Sequence, residues 1–174
     1  MSAPITLAPL HLTLFDEQGA HALPYRDEPL SLSALSAQHL EPVTGSAFLW
    51  LHINLNEPGA REALNALELD PHLTSALLTS EARPRSRVHG EGVLLNLRGV
   101  NLNPGAEPDD MISLRVYMSE RVFISLQGRS LRAVRDLLES IKQGRQGSLS
   151  GPSALIALLI LRLIDRAEPV VGEL

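Results

Sequence analysis

The residues of this sequence able to do chemistry are six histidines, a scatter of carboxylates and an alternating run of arginines. The histidines are His11, His21, His39, His52, His72 and His89. No two are three or four apart, so none forms a ligand pair on one helix face. His52, with Glu57 just beyond it, is the best start for a metal site, with His72 or Asp70 to share it. The plain alternative is a histidine on the polar side of a strand. Asp109 and Asp110, with Glu107 nearby, are hard oxygen ligands in one loop. They lack the spacing and the glycine of a calcium loop, and a solvated acidic turn is the favoured explanation. Arg83, Arg85 and Arg87 would line one side of a strand, with Arg98, Arg115 and Arg121 on neighbouring strands. Together these suit an anion or a phosphate. The alternative pairs them with Glu81, Glu91 and Glu120.

Other chemistries are absent. The chain has no cysteine, which excludes disulfides, thiolate metal sites and cysteine nucleophiles. No nucleophile elbow, phosphate-binding loop or dinucleotide glycine pattern occurs. The reading is therefore of a protein that is not an enzyme.

These residues need elements to position them. Leu10 to Phe15 alternates apolar and polar and reads as a strand. Pro24 to Pro29 reads as a turn, Ser31 to Leu40 as a short helix and Pro42 to Ser46 as a loop. Ala47 to Leu55 is a second strand, with Leu49, Leu51, Ile53 and Leu55 on one side and Trp50, His52 and Asn54 on the other. Asn56 is expected to cap a helix reaching Leu67, and Asp70-Pro71 to start another that ends near Ser80. Arg85 to His89 and Val93 to Asn101 flank Gly90-Glu91-Gly92 as a hairpin. Asn103 to Asp110 is a loop, and Ile112 to Met118 and Val122 to Leu126 flank a tight turn. A helix follows from Leu131 to Ile141, then a flexible link from Gln143 to Ser150. A last helix begins near Pro152. Its apolar residues leave no polar face, so burial all round is expected. Pro169 is expected to kink it without ending it. The whole reads as α/β: a mixed β-sheet with helices packed on its faces.

Composition sets further bounds. At 174 residues with 44% apolar content, the chain can bury a substantial core as one ordinary domain. Aromatics make up only 3% and net charge is −5, against the basic excess and exposed rings of nucleic-acid binding. No signal peptide is visible at the N-terminus. The longest apolar stretch, Ala154 to Leu161, is far short of the roughly 20 residues of a spanning helix.

The succession of segments carries a resemblance. Trp50-Leu51-His52-Ile53-Asn54 leads to Glu57-Pro58 and a helix. Glu81-Ala82-Arg83-Pro84-Arg85 leads to Gly90-Glu91-Gly92-Val93-Leu94 and Leu97-Arg98. Then come Leu114 to Met118 and Glu120 to Ser125, and at the end Asp165, Pro169-Val170-Val171 and Glu173-Leu174. From Phe48 onward this resembles the cytoplasmic N-terminal domain of the CorA family of divalent metal ion transporters, and within it the zinc-transporting ZntB branch. The resemblance implies an α/β/α sandwich over residues 1–150. Residues 151–174 would begin a long stalk helix leading to two transmembrane helices and a Gly-Met-Asn pore loop outside this sequence. It implies a homopentamer forming a funnel on the cytoplasmic face of the bacterial inner membrane. The chain would touch the membrane only through the missing C-terminal helices and would bind no nucleic acid. No cofactor is implied; zinc would be the transported or regulatory ion. Glu91, Asp70, Asp109 and Asp110 are candidate cation contacts on chemistry alone, since no family motif maps onto them. The uncapped end after Leu174 suggests a piece of a longer protein. Two alternatives stay open: the same domain of a CorA-type magnesium or cobalt transporter, and a free-standing module binding an anion or small ligand.

Overall fold

Alternation of apolar and polar residues lays out most of the strands. The structure, a computed structural model, describes residues 9–24, 31–43, 45–79, 86–89, 92–103, 105, 107 and 111–172, with backbone alone for 86–89 and 166–172. In chain order the elements are β1 (Leu10–Asp16), β2 (Gly19–Leu23), α1 (Leu32–His39), β3 (Phe48–Asn54), α2 (Ala60–Ala66) and α3 (Pro71–Leu78). They continue with β4 (Ser86–His89), β5 (Gly92–Val100), β6 (Met111–Met118), β7 (Val122–Gln127), α4 (Arg132–Lys142) and α5 (Pro152–Gly172). The strands form one seven-stranded sheet in the order β2-β1-β3-β7-β6-β5-β4. Among the described residues only the central pair, β3 with β7, is parallel; its neighbours on either side are antiparallel.

The period of two sends alternate residues of each strand to opposite sides of the sheet. Leu49, Leu51 and Ile53 of β3 join Ile124 and Leu126 of β7 on one side, covered by Leu35 of α1, Leu64 of α2 and Leu73 and Leu77 of α3. Phe48, Trp50, Phe123, Leu114 and Val116 face the other side, covered by Val134 and Leu137 of α4 and Leu155 and Leu159 of α5. The architecture is the α/β/α sandwich with a mixed sheet. Local signals start the helices: the Ser31 hydroxyl accepts from Ala34 N at 3.1 Å, and the Asp70 carboxylate from His72 N at 2.7 Å, with Pro71 at the first helical position.

Several expectations change. Helix α2 begins at Ala60, not at Asn56, and its cap is Gly59 with φ +86°. Pro58 disfavours helical geometry at Glu57, so a start at Asn56 is blocked. Strand β2, Gly-Ala-His-Ala-Leu, has almost no apolar run to announce it; it hydrogen-bonds to β1 as a hairpin. The segment from Gln143 to Ser150 is pinned, not loose: Gln146 O accepts from Ala20 N at 3.2 Å, and Leu149 packs into the α4–α5 side. Helix α5 passes Pro169, but it is not buried all round. Leu155, Ile156, Leu159 and Leu163 face the sheet and α4, while Leu161 and Ile164 are 60% and 57% exposed. The turn at Pro24 to Pro29 and the tip of the β4–β5 hairpin lie largely outside the described residues.

Candidate functional site

The sheet centre holds the most concentrated polar chemistry among the described residues. On the α4–α5 side, β3 presents Trp50, His52 and Asn54, and β7 presents Ser125 and Gln127 in direct register with His52 and Asn54. Trp50 Nε1 donates to Ser125 Oγ at 2.8 Å, and His52 Nδ1 lies 2.6 Å from the same oxygen. Gln127 Nε2 donates to Asn54 Oδ1 at 2.8 Å, and Gln127 Oε1 accepts from Leu131 N at 3.3 Å, tying the start of α4 to the seam. His52, Trp50 and Ser125 are wholly buried. Distance alone would make Ser125 and His52 a nucleophile and its base. With both at 0% exposure, no substrate reaches them, and the pair ties two strands together. Burial pushes the His52 imidazole down to about 3, with neighbouring His11 adding to the effect and the Asn54 side chain opposing it. His11 is lowered as well, by burial and then by the positive charge of Lys142.

The candidate metal ligands scatter. His52 sits inside the α4–α5 side, whereas Asp70 and His72 are exposed at the start of α3, on the opposite side of the sheet. Glu57 is half-buried in the loop after β3. Glu91, Asp109 and Asp110 lie outside the described residues. Among the described residues, no three of His, Asp and Glu come together to hold a metal ion. The partner that reading the sequence missed is His11, which stands directly opposite His52 in the β1–β3 register. Both occupy the non-leucine phase of their strands, a signal that points to a common side only once β1 and β3 are known to pair.

The arginines divide between placed and engaged. Arg83 and Arg85 lie outside the described residues. Arg87 stands opposite Leu94 in the β4–β5 register. Arg98 stands opposite Ser113, on the α1–α3 side of the sheet, and is exposed. Arg115, on that same side, donates to Leu77 O at 2.8 Å. Arg121 donates to the carbonyls of Ala47, Leu40 and Val43, closing the connection between α1 and β3.

Comparisons with known proteins meet this geometry. The sequence profile of the CorA-like Mg2+ transporter protein family matches residues 45–174. The divalent cation transporter CmaX of Pseudomonas aeruginosa is 42% identical over 126 residues, 71% of this chain and 37% of that protein. The zinc transport protein ZntB of Pectobacterium atrosepticum is 34% identical over 103 residues, 59% of this chain and 32% of that protein. The full-length CmaX structure superimposes with a TM-score of 0.75 at 31% identity, covering 94% of this chain and 47% of that one. The ZntB cytoplasmic domain of Vibrio parahaemolyticus superimposes at 0.70 and 18% identity, covering 95% and 62%, a likeness of fold. By name the first is a divalent cation transporter and the second a zinc transport protein. The chain belongs to the CorA-like family, and it spans well under half the length of the curated relatives it matches. Among the described residues, no helix is long and apolar enough to cross a membrane.

Proposed function

We propose that this chain is the vestibule and regulatory domain of a ZntB-like zinc transporter, standing on the cytoplasmic face of the inner membrane. The observation that carries the reading is the family match over residues 45–174 on an α/β/α sandwich whose α5 leaves Ile160, Leu161 and Ile164 uncovered. Residues 1–150 form the wall of a funnel, and residues 151–174 begin the stalk that continues toward the pore. Five copies close the ring. Its uncovered α5 side is then buried by the continuing stalk and neighbouring domains. A formal charge of −5 per chain gives such a ring a potential that concentrates cations. Asp70 and His72 on the surface, with Glu91, Asp109 and Asp110, are the groups we assign to passing contacts with them. The domain catalyses nothing and needs no resident cofactor; zinc is cargo or regulator.

A second reading has a specific basis: the matching family is described as a Mg2+ transporter, and the CmaX relative, at the higher identity, by divalent cation alone. Flux through the full-length protein in proteoliposomes separates the two. Zinc uptake that magnesium does not compete away supports the zinc reading. Magnesium or cobalt flux alone moves the domain to that branch, and no divalent flux at all rejects the transporter role.

A further inference from the structure

Two imidazoles face each other across the β1–β3 ladder. The ring centroids of His11 and His52 are 6.3 Å apart, with planes inclined by 33°. The Nε2 atoms of both rings are buried and make no hydrogen bond. Buried polar atoms in folded proteins nearly always have partners, so two unpartnered nitrogens at one place call for a water or a ligand between them. Strand β2 pairs with β1 only from Leu12 onward. His11 therefore stands past the end of β2, half-buried, and offers the way in from solvent.

The far side of His52 is already organised. Ser125 Oγ accepts Trp50 Nε1–H and lies 2.6 Å from His52 Nδ1. With the ring proton on Nδ1, the tautomer a bound metal would select, His52 Nε2 is a bare lone pair. An imidazole held by an oxygen at one nitrogen and bare at the other is the arrangement that orients metal-ligating histidines.

We propose that His11 and His52 bind one borderline transition cation of the Zn2+ type through their two Nε2 atoms, with water from the His11 side completing its coordination. Tetrahedral zinc with Zn–N bonds of about 2.0–2.1 Å puts two imidazole centroids about 5.2 Å apart, so the rings, 6.3 Å apart, would draw together by about 1 Å on binding the ion. Uncharged nitrogen donors suit zinc, copper, nickel and cobalt, whereas magnesium takes oxygen. Burial holds both rings in the neutral form that a metal needs. No carboxylate joins the pair among the described residues, and Lys142 adds a positive charge near His11, so the site is weak and occupied only when the ion is plentiful. This ion would clamp β1 to β3 inside one domain, and the inference does not depend on the vestibule reading.

The test uses the 174-residue chain, freed of metal, with cobalt chloride, zinc chloride and magnesium chloride as probes. His21→Ala, His39→Ala, His72→Ala and His89→Ala are combined first, to silence the remaining histidines. The expected result is one cobalt per chain with a visible d–d band, displaced by zinc and untouched by excess magnesium, and a thermal midpoint raised by zinc. His11→Ala should weaken binding by at least the roughly 10–100-fold that loss of an orienting partner costs, while melting as the parent does without metal. Ser125→Ala, which keeps both ligands, should weaken it by a factor in that range. Absence of the cobalt band, binding unchanged by His11→Ala, or displacement by magnesium would each overturn the proposal. A thermal midpoint that zinc leaves unchanged would overturn it too, and would point to a bridging water in place of a metal.

Discussion

On the side facing α1, α2 and α3, the central strands present Leu49, Leu51, Ile53, Ile124 and Leu126. On the side facing α4 and α5, the same two strands present Trp50, His52, Asn54, Ser125 and Gln127. The first surface stabilises through apolar area removed from water, a force with little directional preference. The second holds bonds that form in one alignment only: His52 with Ser125 and Asn54 with Gln127 each lie opposite in register. A one-residue slip would send the leucines to the polar seam and leave its donors unpaired. Both sides carry an extensive apolar core, and the α4–α5 side in addition specifies how β3 and β7 align.

Substitutions and pH can break that division. The largest loss is expected from Leu51→Ala, a wholly buried leucine on the apolar side, at about 2–5 kcal/mol in urea unfolding. A loss under about 1 kcal/mol would mean that this side is loosely packed. Acid should act on the polar side through His52. His52 titrates near 6.5 when unfolded and about 3 when folded. Between these values the unfolded chain binds the extra proton, so stability falls with falling pH by about 1.4 kcal/mol per unit. From about pH 6.5 to 4.5 that integrates to about 2 kcal/mol, and His52→Gln should reduce the slope there, with His11, also lowered, keeping the rest. An unchanged slope would place the acid sensitivity elsewhere.

Ser125→Ala removes the oxygen shared by Trp50 and His52 and should cost about 1–3 kcal/mol. Restoration by Ser125→Thr at similar stability would show that the hydroxyl matters more than the space. The smallest effect belongs to neither side: Asp70→Ala removes only the cap of α3 and should cost about 1 kcal/mol. A larger loss there would show Asp70 acting beyond the helix end.

The strands are legible because alternation is local. The phase of Leu49-Trp50-Leu51-His52-Ile53 places each side chain on the correct side of β3 before any pairing is known. What alternation cannot convey is how deeply each side is covered. By phase alone His52 belongs to a polar, wetter side; α4 and α5 cover that side, and the histidine becomes core. Its partner His11 lies 41 positions away and meets it only through tertiary register, so spacing rules for single helices are blind to the pair. For α5 the mismatch runs the other way. A helix apolar on every side suggests full burial, yet within these 174 residues one side faces outward. Strand β2 escapes because a partnered edge strand needs little hydrophobicity of its own.

The pairing of β3 with β7 also sets a clock. Trp50 and Ser125 are 75 residues apart in the chain. At the roughly 5–20 residues per second of protein synthesis, β3 waits on the order of 4–15 s for the strand that completes its register. Through that interval it is an unpaired ribbon on one edge, with seven residues that are all buried in the finished fold, the kind of edge that recruits other chains. The only tryptophan of the sequence lies in that ribbon. Its emission in ribosome-held chains of increasing length would time the moment at which the sheet closes.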